Sequence, residues 1–303
     1  MASHSHPLST YTYYKNLIDA YLRNRLQGEQ ELLRPMRYTS LAPSKRLRPV
    51  LVCLSAQTVG GCGDSVVQSA CGVELLHVAS LILDDLPCMD DALTRRWQTA
   101  SHLVFGESTV ILTSLSFISE CFSLITENSA SLRLTAEVTR KTIQRATHAL
   151  RETIDGQVAD LALTRSTSFD SVERCYRQKS GALLAFSIGL GARLSGASER
   201  AIAELEECGY EFGEAFQMHD DLLDYRASDE TGKEQRHREK LTYCSLFGIR
   251  ATEARAQTLL TSAIRRLDSF GENPLSPLLA DLIGQWTSAT PARSFSGSPT
   301  GSL

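Results

Sequence analysis

Apolar residues recur at spacings of three and four along nearly the whole chain, whereas alternating β-branched runs bounded by turn residues are almost absent. A chain patterned this way buries its stripes helix against helix, so the fold class is all-α. The spacing predicts helices over about 10–26, 29–41, 46–59, 64–86, 104–126, 129–163, 170–195, 198–227 and 240–269. Breakers divide them at "GGCG" (60–63), Pro87, "SG" (195–196) and "SDETG" (228–232). No linker rich in Gly, Ser or Pro interrupts the pattern before the end. Residues 1–287 therefore read as one helical domain, and 288–303, small and polar, as a disordered tail.

Composition narrows the function classes. With 303 residues, 42% hydrophobic and 22% charged, the chain can bury a large core. Its 31 Lys+Arg against 35 Asp+Glu, a formal charge of -4, create no overall field for nucleic acid or an anionic membrane, so an anionic ligand needs a local cluster. No apolar run approaches the roughly 18 residues of a transmembrane segment, and "MASHSHPLSTYTYYK" lacks a secretory layout, so a cytoplasmic location is expected. The eight cysteines stand singly without a C-x-x-C pair, which predicts reduced core thiols, no disulfides and no zinc site.

The segment 64–91, "DSVVQSACGVELLHVASLILDDLPCMDD", carries more than packing explains. Asp64 is a candidate N-cap, and Val67, Cys71, Leu75, Val78, Leu81 and Ile82 form a core stripe. His77 and Asp84 lie two turns apart on one face, about 10 Å along the axis. Asp84, Asp85, Asp90 and Asp91 then place four acids within eight residues. Such a cluster is costly to desolvate without cations and suits Mg²⁺, which binds one or two carboxylates and substrate phosphates. Alone, it reads better as a solvated acidic helix end.

A second apolar helix repeats the arrangement. In "GEAFQMHDDLLDY" (213–225), Gln217, Asp220, Asp221 and Asp224 fall at i, i+3, i+4 and i+7 on one face, with Phe212, Phe216 and Leu223 expected to anchor it. Two acid clusters on buried helices are best accommodated facing each other across a cavity, bridged by metal. Basic residues complete the balance: Lys45, Arg46 and Arg48 before a helix, Arg95 and Arg96 after the first acids, and Arg177 with Lys179. Beside metal-binding carboxylates they form sites for polyanions, Arg as a bidentate fork and Lys as a point charge. Apolar walls together with such sites imply a substrate with a diphosphate head and a hydrocarbon tail.

At these residues the sequence resembles the trans-prenyltransferase family, the short-chain polyprenyl diphosphate synthases of the isoprenoid synthase fold, and most closely bacterial geranylgeranyl diphosphate synthases. The resemblance runs from about Ser44 to Thr252. It rests on "KRLRP" (45–49), "HVASLILDDLPCMDD" (77–91), "RR" (95–96), "GQVADL" (156–161), "KSG" (179–181), "FQMHDDLLD" (216–224) and "KLTY" (240–243), all in family order. It implies that Asp84, Asp85, Asp90 and Asp220, with Asp221 and Asp224, ligate or support three Mg²⁺ ions. It implies that Arg95, Lys179, Lys233 and Lys240 grip an allylic diphosphate, with Ser180 and Gln217 beside it. Lys45, Arg48, His77 and Arg96 would hold isopentenyl diphosphate. The implied protein is a homodimer that extends dimethylallyl, geranyl or farnesyl diphosphate by five carbons per cycle, with Asp84, Asp85, Asp220, Lys179 and Gln217 at the chemistry.

The chain departs from the family pattern at several positions. Ser44 stands where Gly usually precedes the Lys, Trp97, Thr99 and Ala100 replace Gly, Pro and Thr, and the loop between Lys233 and Lys240 is about one residue shorter. Ala79 and Ser80, about one turn below Asp84, are small and leave room for a C20 product, with Phe117 or Phe122 as a floor. Close helix packing would also call for small residues there. Three alternatives remain open: a fifteen-carbon farnesyl diphosphate synthase, a class I terpene cyclase, and a non-catalytic partner subunit.

Overall fold

The computed structural model describes residues 7–231 and 241–288. It is an all-α bundle whose elements follow the predicted spacing closely: α1 (Pro7–Arg25), α2 (Leu33–Ser40), α3 (Leu47–Thr58), α4 (Val67–Asp84), α5 (Ser101–Phe105), α6 (Glu107–Ser131), α7 (Ala136–Leu161), α8 (Phe169–Tyr176), α9 (Ala182–Leu194) and α10 (Glu199–Thr231). After the residues outside the description come α11 (Tyr243–Phe247), α12 (Ile249–Leu267) and α13 (Leu275–Ser288). A short antiparallel hairpin, β1 (Thr94–Arg95) and β2 (Gln98–Thr99), pairs Thr94 with Thr99.

The core lies where the most apolar stretches meet. α4 packs along α6, while α9 sits between α3 and α10, and α10 also packs on α12. Nearly every side chain of α9 is buried, as its sequence "ALLAFSIGLGARL" requires. Local chemistry sets the helix starts: Thr135 caps α7 by accepting from the Val138 N–H, and Thr242 with Ser245 forms a capping box on α11.

Several expectations change. Asp64 does not cap α4; a 3₁₀ turn, Gly63–Val66, precedes that helix, and the Asp64 carboxylate accepts from Tyr13 Oη at 2.8 Å. The predicted helix over 170–195 is interrupted by a π-helical turn, Arg177–Gly181. The hairpin and α13 were not predicted, because two-residue strands and an isolated late helix carry little periodic signal. Two helices, Gly63–Asp84 and Glu107–Ser131, do meet the length and composition of a membrane span; the first is largely buried in the bundle, the second mostly is not. Leu223 is exposed rather than anchoring α10, whereas Phe212 is fully buried. All eight cysteines are free thiols, as expected, but Cys62 and Cys88 are exposed. Apart from Ser288, the expected tail lies outside the described residues.

Candidate active site

The first acid cluster is built by the end of α4. The helix stops at Asp84, and the chain folds back so that the Asp90 N–H donates to the Asp84 carbonyl at 2.8 Å and the Ala92 N–H to that of Asp85 at 3.2 Å. This brings Asp90 beside Asp84. The Asp85 side chain is buried and takes Arg95 Nε at 2.8 Å, so it is held by the protein, while Asp84 is half-buried and Asp90 exposed. Burial raises the Asp85 carboxyl above its usual range despite Arg95.

The hairpin that delivers Arg95 and Arg96 is clamped to α2: Tyr38 Oη donates to the Thr99 carbonyl at 2.8 Å and Gln98 Nε2 to the Tyr38 carbonyl at 3.0 Å. Its two turn residues, Arg96 and Trp97, both have positive φ, 51° and 66°, and Trp97 is fully exposed at the tip.

Of the residues expected around isopentenyl diphosphate, Arg48, His77 and Arg96 lie together, while Lys45 is exposed and bears on Asp220. Arg46, left-handed at φ 54°, is fixed by Asp19 at 2.8 Å, Glu74 at 2.6 Å and the Ser40 carbonyl at 2.6 Å, making it a structural pin between its neighbours Lys45 and Arg48. Glu74 also meets Arg96 at 3.5 Å, and Arg48 reaches His77 at 3.2 Å. Ser44 Oγ, Arg48 Nε and Arg96 Nη1 are buried with no hydrogen-bond partner. Buried donors in that state cost free energy until an acceptor arrives. Burial, opposed by Glu74 and Asp220, lowers the Arg48 pKa to about 10.

The second cluster lies on α10 facing the π turn. Lys179 Nζ pairs with Asp160 of α7 at 2.5 Å, Ser180 Oγ donates to Gln217 Oε1 at 2.6 Å, and Gln217 Nε2 donates to Asp221 at 3.1 Å. Gly156 allows the turn to approach α7, since a Cβ there would sit 2.2 Å from the Lys179 backbone nitrogen. Burial, then Asp224 and Asp221, raises Asp220 to about 7, against the pull of Lys45 and Arg48. The two acid clusters therefore border one basic strip: Arg95 feels Asp84 and Asp90, His77 feels Arg48, Arg96 and Arg95, and Arg48 feels Asp220.

Among the described residues, no three His, Cys, Asp or Glu side chains form a ready metal cage. The donors are carboxylates, Asp220 among them raised by burial and then by Asp224 and Asp221, and a hard cation completing its shell with water and phosphate oxygens fits them. Lys233 and Lys240 lie outside the described residues. Sequence reasoning missed Glu74, Asp19, Asp160 and Tyr176; "GQVADL" pointed to Asp160's segment, and nothing local marked the others.

A family model described as polyprenyl synthetase matches residues 29–272, extending past the motif-bearing stretch at both ends. The chain is 36% identical to geranylgeranyl pyrophosphate synthase 10, mitochondrial, of Arabidopsis thaliana over 268 residues, covering 85% of this chain and 78% of that one. The crystal structure of a geranyltranstransferase from Thermotoga maritima superposes with a TM-score of 0.80 at 26% identity, covering 92% of this chain and 99% of that one. An FPP/GFPP synthase from Zymomonas mobilis gives 0.79 at 26% identity, covering 92% and 100%.

Proposed function

The chain belongs to the polyprenyl synthetase family and is an enzyme of prenyl transfer; on that premise we propose that it extends allylic diphosphates with isopentenyl diphosphate, head to tail, to geranylgeranyl diphosphate. The observation that carries the reading is the set of partnerless buried donors, Ser44 Oγ, Arg48 Nε and Arg96 Nη1, in the basic strip that the two acid clusters border. A terpene cyclase has no use for this second anion site. A non-catalytic subunit has no need to keep both acid clusters whole.

Magnesium, held by Asp84, Asp90, Asp220 and Asp224, would neutralise charge on the departing diphosphate. Asp85, bonded to Arg95, and Asp221, bonded to Gln217 and Tyr176, support these carboxylates. Lys179 and Arg95 stabilise the same leaving group, while Arg48, Arg96 and Lys45 orient isopentenyl diphosphate so that its double bond attacks the ionised allylic carbon. The released diphosphate takes the final proton, so no side-chain base is required. Given Mg²⁺ and geranyl diphosphate, the enzyme yields a longer diphosphate only when isopentenyl diphosphate is present; turnover without it supports the cyclase instead.

Chain length follows from α4. Ala79 is buried against α6, whose Ser114 Oγ donates to the Ala79 carbonyl at 3.3 Å, and a Cβ on Gly72 would come within 3.0 Å of the Cys121 carbonyl. Tight packing accounts for these two positions. Ser80 is half-buried with its hydroxyl turned back to the His77 carbonyl at 2.8 Å, so it is the small residue available to a growing tail. We assign the homodimer contact to the face where Leu103, Val104, Ile111, Leu112 and Leu115 of α5 and α6 are exposed. A second copy of the same stripe would bury an apolar surface that the bundle leaves open.

A further inference from the structure

We propose that Tyr176 is a positioning residue for the second acid cluster, its hydroxyl holding Asp221 against the turn that carries Lys179. The inference rests on the prenyl-transfer reading of this site. Tyr176 ends α8, three residues before Lys179, and is almost fully buried. Its hydroxyl donates to Asp221 Oδ2 and accepts from the Tyr243 N–H at 2.8 Å. The other oxygen of Asp221 accepts from Gln217, and Gln217 in turn accepts from Ser180. One hydrogen-bonded chain thus runs Tyr243–Tyr176–Asp221–Gln217–Ser180 and joins α11, the end of α8, α10 and the π turn.

The position matters because π turns are wide, poorly constrained pieces of helix that recur at functional sites. Here the turn carries Lys179 and is registered against α10 by close packing of Gly181 on Gly213 and by side-chain bonds. Asp220 adjoins Asp221 and Asp224 follows it by one turn, so fixing the Asp221 carboxylate fixes the roll of the whole acid face. Burial, with Asp221 beside it, keeps the phenol protonated and therefore a donor. Removing the hydroxyl takes one partner from Asp221 and one tie between the Lys179 turn and α10, leaving Gln217 and the Arg177 pairs to Glu207 and Glu214. Partners that orient ligating carboxylates are typically worth about ten- to a hundredfold in affinity.

The test is calorimetric titration of the full chain with magnesium and inorganic diphosphate, in wild type, Tyr176→Phe, Asp221→Asn and the double variant. Tyr176→Phe should weaken binding about tenfold, and the double variant should lose no more than the worse single one. In steady-state assays the allylic KM should rise about tenfold while that for isopentenyl diphosphate stays within twofold. Phe247→Leu, which loosens packing on Tyr243 without touching the phenol, controls for general loosening. Wild-type binding by Tyr176→Phe, additive losses, or an equal loss in Phe247→Leu overturns the proposal. Should Tyr176→Phe not fold, unimpaired binding by Asp221→Asn overturns it. Wild type failing to elongate any allylic substrate refutes the prenyl-transfer reading instead, and the binding cycle still decides the role of Tyr176.

Discussion

Arg48 donates from its guanidinium to Nε2 of His77 at 3.2 Å, which sets an uncharged imidazole among arginines. Burial, then Arg48, Arg96 and Arg95, depresses the His77 pKa well below the ordinary histidine range. A guanidinium can only donate, so Nε2 accepts and the ring proton resides on Nδ1. His77 is thus a rest for Arg48, aiming it without adding charge.

Nitrogen-15 NMR of the imidazole should show one neutral tautomer, Nδ1–H, unchanged between about pH 6.5 and 8. His77→Ala should raise the KM for isopentenyl diphosphate about tenfold with a smaller change for the allylic partner. A ring that titrates in that window, or equal KM changes, would count against this role.

Product length should respond to Ser80. Ser80→Phe places a ring about one turn below Asp84 and should shift the main product from twenty to fifteen carbons. Ala79→Tyr instead forces α4 off α6 and should cost roughly 1–3 kcal/mol of stability. Mass spectrometry of products and thermal unfolding separate the two effects.

The fold was legible because the helical period persists across long segments, and the acid clusters were legible together, one as four aspartates within eight residues and the other as Gln217 with three carboxylates on one helix face. What the sequence did not show is pairing at a distance. Glu74 reads as one more residue in an apolar helix, yet with Asp19 it pins Arg46, and that pin aims Lys45 and Arg48. Tyr176 and Asp160 likewise acquire their roles only once the π turn brings Lys179 against α7 and α10. Periodicity also overrated Leu223, which stays exposed on α10.

Glu214 gives a stability prediction with a definite sign. Its carboxyl is buried and lifted to about 7, chiefly by desolvation that Arg177 at 3.1 Å does not offset. Below the ordinary carboxylate value both folded and unfolded states are protonated. As pH rises from about 4.5 through about 7, the unfolded chain releases the proton first and stability is lost, roughly 3 kcal/mol in full. Glu214→Gln should remove that loss, so denaturant unfolding should find the variant relatively more stable at pH 8 than at pH 5. A pH-independent difference would contradict it.

Sedimentation equilibrium should find a dimer, and the pair Leu112→Glu with Leu115→Glu should give a folded monomer. Both side chains are more than half exposed in the single chain, so the charges cost little within the bundle. A wild-type monomer at micromolar concentration would leave this face without its assigned partner.

The central claim is that both acid clusters serve one magnesium-dependent transfer onto isopentenyl diphosphate. Turnover of dimethylallyl diphosphate with labelled isopentenyl diphosphate, compared among wild type, Asp84→Asn and Asp220→Asn at saturating Mg²⁺, tests it most directly. Wild type should accumulate a labelled twenty-carbon diphosphate, and each variant should lose about a thousandfold in turnover while keeping its helical content. Near wild-type turnover in either variant, or products without label, would contradict the claim.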